Sequence, residues 1–245
     1  MLTRRESLGA LAAGALMPQV IAAGAQVAGG GGAQAATLAP AFAGKHEIVP
    51  LPFDPKSLKG ISEKLIVSHH DNNYAGAVRN LNKVEQQLAG TNADTPAFVV
   101  GGLQQSALQF SNSKVLHELY FANLGGEGPA TGAIADRLAA SYGSLARWEE
   151  LFRATGMSLA GGSGWVVLGY DLSRSAVQIT WSGNHTQAHA SSLPLVVMDM
   201  YEHAYQMDYG AGAAKYVDAF FANVEWAEVN RRLEQAQKAD AARRG

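Results

Sequence analysis

The residues of this chain best suited to chemistry are its histidines and a short acidic segment near residue 200. Residues 198 to 206 read MDMYEHAYQ and place Asp199, Glu202 and His203 within one predicted helical turn. An acid and an imidazole four residues apart can point at the same object. The chain has no cysteine, which excludes disulfides, thiolate metal sites and cysteine nucleophiles. Any chemistry therefore comes from histidine, acidic residues, serine or tyrosine.

Four side chains are candidate metal ligands. They are His69 and His117, each in a predicted helix, and Asp199 with His203 in the late segment. Three imidazoles and one carboxylate suit iron, manganese or zinc and leave a position for solvent or substrate. Taken singly, a histidine on an apolar helical face is more often a hydrogen-bonded core residue than a ligand. The late pair could equally be a solvated acid beside a partly buried imidazole.

The overall composition indicates an ordinary globular protein. The 245 residues, 47% of them hydrophobic, are enough to bury a sizeable core in one large or two small domains. The 19 basic residues are balanced by 21 acidic ones. No basic field would attract phosphates, so nucleic acid is not an expected partner.

The N-terminus, residues 1 to 35, has the pattern of a bacterial export signal. Arg4 and Arg5 precede a mild apolar stretch rich in Ala and Gly, and small residues follow at Ala33 and Ala35. The paired arginines indicate the twin-arginine type, which predicts a periplasmic or secreted protein. The stretch is too weak and too interrupted for a spanning helix, so no stable membrane anchor is expected. A plain Ala/Gly-rich tail is the alternative.

A linker (36–47) and a helical hairpin domain (48–128) are predicted next. Ser62 is a candidate N-cap for a long helix that ends near Gly90, with a kink near Asn72 and Asn73. A second helix, AFVVGGLQQSALQFSNSKVLHELYFANL, runs to the turn GGEGPATG. Two long helices with a short polar connection form a hairpin.

The sequence pattern changes after the hairpin, in a predicted α/β domain (129–239) that precedes a short tail (240–245). AIADRLAASYG and SLARWEELFRATGM predict short helices, whereas GSGWVVLGYD, AVQITWSG and LPLVVMDMY predict strands. KYVDAFFANVEWAEVNRRLEQAQKA predicts one continuous final helix. The fold class is therefore α+β, with a long N-terminal helical hairpin followed by an α/β domain containing a three-stranded antiparallel sheet and flanking helices.

Several blocks of the chain, in order, resemble the iron/manganese superoxide dismutase family over about residues 48 to 237. The family's late motif reads Asp, any residue, Trp, Glu, His, Ala, Tyr. This chain keeps Asp199, Glu202 and His203 in that order and has Tyr201 in the tryptophan position. The matching blocks are LPFDPKSLKGIS, HHDNNYAGAVRNLN, HELYFANL, GGEGPATG, GSGWVVLGYD, MDMYEHAYQMDYG and YVDAFFANVEWAEV.

The resemblance implies a metal-dependent enzyme. It implies that His69, His117, Asp199 and His203 bind one iron or manganese ion per subunit, with solvent as a fifth ligand, and that the substrate is superoxide. The ion would cycle between the +3 and +2 states. A dismutase-like periplasmic metal-binding protein with little turnover is the alternative. A diiron carboxylate protein would need two Glu-x-x-His motifs on helices, and the chain does not show two.

The resemblance also implies residues around the ion. In the family a glutamine after the second strand often tunes the metal-bound solvent, and His185 takes that place here. Ser113, at the other known glutamine position, is too short to substitute for it. Phe121, Trp165 and Tyr201 sit where the family lines its metal pocket with rings. A fourth aromatic residue, Trp181, is expected in the core.

Three departures from the family pattern concern the substrate funnel and the subunit interface. Ala77 occupies the place of a tyrosine that usually guards the funnel, and Asn73 and Gln206 replace a histidine and its tyrosine partner across the interface. The two amides can still hydrogen-bond to each other. In the family Glu202 reaches across a two-fold axis to a metal-bound imidazole, which implies a homodimer or a tetramer.

Overall fold

The computed structural model describes the chain from residue 38 to residue 245. The predicted export signal, residues 1 to 35, lies outside the described residues, as do residues 36 and 37 of the predicted linker. The rest of the linker contains a 3-10 helix, Pro40–Phe42. In the described part, no helix is both long enough and apolar enough to cross a membrane.

The first half forms the helical hairpin that the apolar spacing predicts. Ser62 caps the first helix because its Oγ accepts a hydrogen bond from the N–H of Leu65 (3.1 Å). Gly90 follows the last residue of the first arm. The kink predicted near Asn72 is a π-helical turn. In order, the hairpin consists of α1 (Glu63–Ser68), the π-helical turn (His69–Tyr74), α2 (Ala75–Ala89) and α3 (Ala97–Ala122).

The second half contains the three-stranded antiparallel sheet that the strand patterns predict. The strand order is β2-β1-β3, so β1 is the central strand, and all of its residues are buried. Trp165 at the start of β1 lies opposite Asp199 at the end of β3. The elements are α4 (Ala133–Tyr142), α5 (Leu145–Met157), β1 (Trp165–Asp171), β2 (Ala176–Ser182) and β3 (Ser192–Asp199).

The prediction of one continuous final helix is wrong. The chain forms α6 (Gln206–Tyr209), α7 (Ala213–Phe221) and α8 (Trp226–Arg244), with a break at residues 222 to 225. In the break, Val224 forms an antiparallel bridge with Leu124, and the N–H of Glu225 donates to the carbonyl of Asn123 (2.7 Å). Hydrogen bonds to the end of α3 therefore replace the helical ones.

The expectation that Trp181 lies in the core is also wrong, because its residue surface is 53% exposed. It lies on β2, which is an edge strand of the sheet. Successive side chains of a strand point to opposite faces. Val177 lies on the same face four residues earlier and is buried, so the indole is exposed because it lies near the end of this edge strand.

Candidate metal centre

Four side chains from distant parts of the chain meet at one point. One ligand atom from each of His69, His117, Asp199 and His203 lies within 4.8 Å of all the others. The Nε2 atoms of His69, His117 and His203 lie 3.1, 3.6 and 3.2 Å from Asp199 Oδ2. The three imidazoles thus surround a single carboxylate oxygen, in an arrangement that can hold one metal ion.

The local structure around the late pair differs from the predicted single helical turn. Asp199 is the last residue of β3, and His203 lies in a separate 3-10 helix, Glu202–Ala204. The N–H of Tyr201 donates to Asp199 Oδ1 (2.8 Å) and so closes a tight connection between strand and helix. Asp199 and His203 converge because the chain turns sharply after the strand.

Buried hydrogen bonds hold the elements that carry the ligands. The Asn123 side chain at the end of α3 accepts from the N–H of Val197 (2.8 Å) and donates to the carbonyl of Leu195 (3.2 Å), so it ties the His117 helix to β3. The Tyr216 hydroxyl donates to the backbone oxygen of Asp199 (2.7 Å). The end of β3 is thereby fixed from two sides.

The orientation of His117 follows from one backbone contact. Its Nδ1 lies 2.6 Å from the carbonyl oxygen of Ser113, one helical turn earlier. A carbonyl only accepts, so Nδ1 carries the proton and the lone pair is on Nε2. That Nε2 is buried and has no hydrogen-bond partner within residues 38 to 245. A buried, unpartnered lone pair aimed at the cluster is what a metal ligand requires.

The charges of the cluster suit a cation. Burial lowers the pKa of His69 and lowers that of His117 to about 3, so both imidazoles are neutral at pH 7. Burial alone would raise the pKa of Asp199, but His203 and His69 hold it well below its usual range. These are the protonation states in which the groups bind metals. Because three imidazole nitrogens converge on one carboxylate oxygen, the residues fit an iron or manganese ion.

Aromatic side chains enclose the cluster. The rings of Phe121 and Trp165 are buried and lie 5.2 Å from His69 and 5.1 Å from His117, respectively. Tyr201 stacks on His203 with ring centroids 5.3 Å apart. The three predicted pocket-lining rings are thus in contact with the ligands.

His185 lies beside the cluster with its tautomer determined by a neighbour. Trp165 Nε1 donates to His185 Nδ1 (2.9 Å). An indole N–H only donates, so Nδ1 is unprotonated and the neutral ring carries its proton on Nε2. Burial lowers the pKa of His185, which favours that neutral form. The ring stacks on Tyr201 (4.7 Å) and its centroid is 6.2 Å from His117.

A cleft of about 260 Å³ leads to the cluster. Its lining includes Ala77 and Asn73, together with ligand residues His117 and His203 and with His185. No phenol is part of the lining. Tyr74, three residues before Ala77, is completely buried and its hydroxyl bonds elsewhere. The remaining lining residues, most of them polar and uncharged, are Asn72, Gly76, Asn80, Gln109, Phe110 and Ser113.

The predicted bridging residues lie at the surface near the cleft. Glu202 and Gln206 are exposed, and Asn73 is half-buried. In the described part of the chain none of the three side chains has a hydrogen-bond partner. Their predicted contacts across a subunit interface stay predictions.

Sequence reasoning missed several residues that support the site. The side chain of Ser113 is too short to replace a glutamine, but the backbone carbonyl of Ser113 orients His117. The spacing of four residues on a predicted helix would have indicated this contact. Tyr216 and Asn123 had no comparable signal, since their contacts join parts of the chain that are far apart in sequence.

Comparison with known proteins gives matches over most of the chain. Residues 45–125 match the alpha-hairpin domain of the iron/manganese superoxide dismutases, and residues 130–232 match the C-terminal domain of the same family. The predicted division at residues 128 and 129 falls between these matches and stays a prediction.

Individual relatives include proteins named for either metal. The chain is 44% identical to the iron superoxide dismutase of Cupriavidus metallidurans, over 74% of this chain and 92% of that protein. It is 34% identical to a manganese superoxide dismutase of Halobacterium salinarum, over 78% of this chain and 96% of that protein. It is 33% identical to the iron superoxide dismutase of Aquifex pyrophilus, over 80% of this chain and 95% of that protein.

Proposed function

The chain belongs to the iron/manganese superoxide dismutase family, and we propose that it disproportionates superoxide at one iron or manganese ion per subunit. The observation that carries the proposal is the convergence of His69, His117 and His203 on Asp199 Oδ2. The matches to both family domains and the 44% identity to an iron superoxide dismutase support the same conclusion.

An iron or manganese ion held by these residues would supply the electron transfer, cycling between +3 and +2, by which two superoxide ions and two protons become dioxygen and hydrogen peroxide. The chain holds the ion in a site from which bulk water is largely excluded, since His69, His117 and Asp199 are buried. The negative charge of Asp199 compensates part of the positive charge and favours the oxidised state.

His185 is the residue best placed to donate a hydrogen bond into the cleft beside the ligands. Trp165 occupies its Nδ1, so the Nε2–H is the available donor. His185 and the ligands His117 and His203 line the same cleft. A neutral imidazole N–H is too weak an acid to release its proton, so His185 acts as a hydrogen-bond donor. Such a donor in a fixed tautomer would tune the acidity of solvent bound to the ion, and with it the proton uptake that peroxide formation requires.

The second candidate is a metal-binding protein of the same fold with little turnover. Ala77 favours it, because no phenol closes the cleft or assists proton delivery there. Superoxide decay decides between the two. We expect protein reconstituted separately with iron and with manganese to accelerate the decay in at least one form.

The experiment includes metal analysis of natively purified protein and a matched pair of variants. His117→Ala removes a ligand, and we expect loss of both metal and activity. His189→Ala changes an exposed histidine outside the cluster, and we expect neither loss. Fully metal-loaded, folded protein that leaves superoxide decay unchanged would refute the enzyme and leave the metal-binding alternative.

We also propose that the chain assembles as a homodimer or tetramer through the surface around Glu202. The exposed positions of Glu202 and Gln206 beside the cleft support this proposal. In it, Glu202 accepts a hydrogen bond from a ligand imidazole of a second copy, and Asn73 pairs with Gln206 across the interface.

Export through a twin-arginine route is proposed for the N-terminal segment on its sequence alone. Arg4 and Arg5 precede the mild apolar stretch. Replacing both (Arg4→Lys, Arg5→Lys) is expected to leave full-length precursor in the cytoplasm, as measured by cell fractionation. Unchanged export of the double variant would contradict the assignment.

A further inference from the structure

A buried tyrosine and a carboxylate lie directly against the metal centre without lining its cleft. Tyr74 is 0% exposed, and its hydroxyl donates to Glu118 Oε1 (2.7 Å) while accepting from the N–H of Val49 (2.9 Å). Tyr74 ends the π-helical turn that begins at His69, and Glu118 directly follows His117. The pair is therefore coupled to two ligands through short segments of rigid backbone.

Packed rings connect this tyrosine to the ligands. The Tyr74 ring centroid lies 6.3 Å from that of His117 and 5.9 Å from that of Phe121. Phe121 in turn lies 5.2 Å from His69. Packed rings therefore run without a gap from the phenol of Tyr74 to the two ligand imidazoles that would hold the ion.

Oxidation of the Tyr74 phenol requires a proton acceptor, and the carboxylate of Glu118 can be that acceptor. A phenol that loses an electron becomes a strong acid and must lose its proton at the same time. Glu118 is already hydrogen-bonded to that proton, and it is ion-paired to Lys114 (3.0 Å) at the partly exposed edge of the helix.

The other tyrosines near the centre lack this partner. Tyr120 lies closer, with its ring 5.2 Å from that of His69, but its hydroxyl is 3.2 Å from the Tyr216 hydroxyl. Tyr201 stacks on His203. Within residues 38 to 245, neither Tyr120 nor Tyr201 is hydrogen-bonded to a carboxylate. Of these three tyrosines, only Tyr74 is both close to the ligands and hydrogen-bonded to a proton acceptor.

We propose that Tyr74 is a redox-active residue that reduces the hydroxyl radicals formed when hydrogen peroxide is reduced at the metal centre. The inference rests on the proposed function, which supplies both peroxide and superoxide. The +2 ion of the proposed cycle, which superoxide would regenerate, is the one-electron reductant; one electron from it would break the O–O bond of hydrogen peroxide and yield hydroxide and a hydroxyl radical. Tyr74 gives one electron to this radical, which becomes hydroxide, and the phenolic proton passes to Glu118.

Superoxide, the substrate of the proposed reaction, then returns Tyr74 to its starting state. Superoxide gives one electron to the neutral tyrosyl radical and leaves as dioxygen, while Glu118 returns the proton to the phenol oxygen. The net change is that a hydroxyl radical and a superoxide ion become hydroxide and dioxygen. Tyr74 and Glu118 end as they began, so one pair protects the centre repeatedly.

The test uses the full chain loaded with iron, treated with hydrogen peroxide and frozen rapidly for electron paramagnetic resonance. We expect a tyrosyl signal that is lost in Tyr74→Phe and reduced in Glu118→Gln. Tyr142→Phe is the matched control, because the Tyr142 hydroxyl accepts from a backbone N–H (2.9 Å), as that of Tyr74 does. Zinc-loaded protein, which cannot change oxidation state, is expected to give no signal.

Mass spectrometry of the peroxide-treated wild type provides a measurement that needs no variant. We expect the peptide containing Tyr74 to carry the earliest oxygen addition among the tyrosine peptides. A tyrosyl signal that persists in Tyr74→Phe, a signal abolished instead by Tyr120→Phe, or iron-loaded wild type without a signal and without Tyr74 oxidation would each refute the inference.

The experiment separates this inference from the proposed function, because it requires only bound iron and added peroxide. Protein that forms the Tyr74 radical yet fails to accelerate superoxide decay would refute the dismutase activity alone. An active dismutase without the radical would refute the redox role of Tyr74 alone.

Discussion

Trp165 donates a 2.9 Å hydrogen bond from Nε1 to Nδ1 of His185, and this one contact determines which nitrogen of His185 carries a proton. Trp165 is at the start of β1, opposite Asp199 on β3. The same indole therefore packs beside the ligands and orients the residue proposed to donate a hydrogen bond to solvent at the ion.

Replacing His185 tests its proposed role as the hydrogen-bond donor that tunes proton uptake at the ion. His185→Ala should lower the dismutation rate by roughly 10–100-fold with the metal content largely retained, because no ligand atom is removed. His185→Gln should recover part of the rate, since its amide can accept from Trp165 and also donate. Stopped-flow superoxide decay and metal analysis measure both effects. Complete loss of metal in His185→Ala would instead make His185 a ligand.

Removing the ion should destabilise the protein. The metal binds the folded chain, and the ligands meet only there, so metal at about 100 times Kd stabilises by about 2.7 kcal/mol. Thermal unfolding before and after dialysis against a chelator measures the shift. The Tm of His117→Ala should not respond to the chelator, whereas that of His189→Ala should fall as in the wild type. An unchanged wild-type Tm after dialysis against the chelator would show that no bound metal stabilises the folded protein.

Restoring a phenol in the cleft should weaken the binding of small anions. Ala77 lines the cleft, and Ala77→Tyr would fill part of it, so azide affinity should fall about tenfold, equal to about 1.4 kcal/mol. Titration of iron-loaded protein followed by absorbance gives Kd. Ala97→Tyr, at an exposed position of α3, is the control. Equal Kd values for Ala77→Tyr and the wild type would show that position 77 does not limit access.

Glu202 can be tested through subunit association. Glu202→Ala should raise the dissociation constant of the proposed dimer by about tenfold or more, because the loss of one buried charged hydrogen bond costs about 1.4 kcal/mol or more. Sedimentation velocity over a range of concentrations measures the change. Glu234→Ala removes an exposed glutamate of α8 that pairs only locally with Lys238 (2.5 Å), and it should leave association unaltered. Similar shifts in both variants would point to a general charge effect.

The C-terminal helix should make stability depend on pH in a defined window. Hydrogen bonds from Ser175, Tyr170 and Arg244 lower the pKa of Asp240 to about 2, below the unfolded value of about 3.9. Because the folded pKa is the lower one, the stabilisation is complete above about pH 4 and is lost as the pH falls towards about 2. Asp240→Asn should therefore destabilise metal-free protein at pH 7.

Urea unfolding of the wild type and of Asp240→Asn across this range provides the check. The difference in free energy of unfolding should shrink as the pH drops from about 4 to about 2. Asp94→Asn changes an exposed loop carboxylate and should show no such trend. A constant difference at all pH values would mean that packing, rather than ionisation, accounts for the effect of Asp240.

Local signals predicted most of the secondary structure. The Ser62 cap, the stop at Gly90 and the alternation in the strands depend on residues that are neighbours in sequence. The break between α7 and α8 depends on Leu124 and Asn123, about 100 positions away, which pair with the backbone of residues 224 and 225. No pattern within the segment that forms α7 and α8 indicates that contact, so the sequence predicts one continuous helix.

The exposure of Trp181 shows the same limit for packing. An aromatic residue in a strand pattern predicts burial, but Trp181 lies near the end of β2 at the edge of the sheet, where its indole stays exposed although Val177 on the same face is buried. The order of strands is a property of the whole sheet and is not encoded in any one strand.

The sequence by itself determined the types of the ligands, the motif that contains Asp199 and His203, and the family resemblance, because these are properties of residue identity and spacing. Only the tertiary structure decided that the ligands share one point, since His69 and Asp199 are 130 positions apart. Their meeting depends on the packing of α3 against β3 through Asn123 and on the π-helical turn at His69. Such contacts arise from the simultaneous burial of many side chains, and no local stretch of sequence carries them.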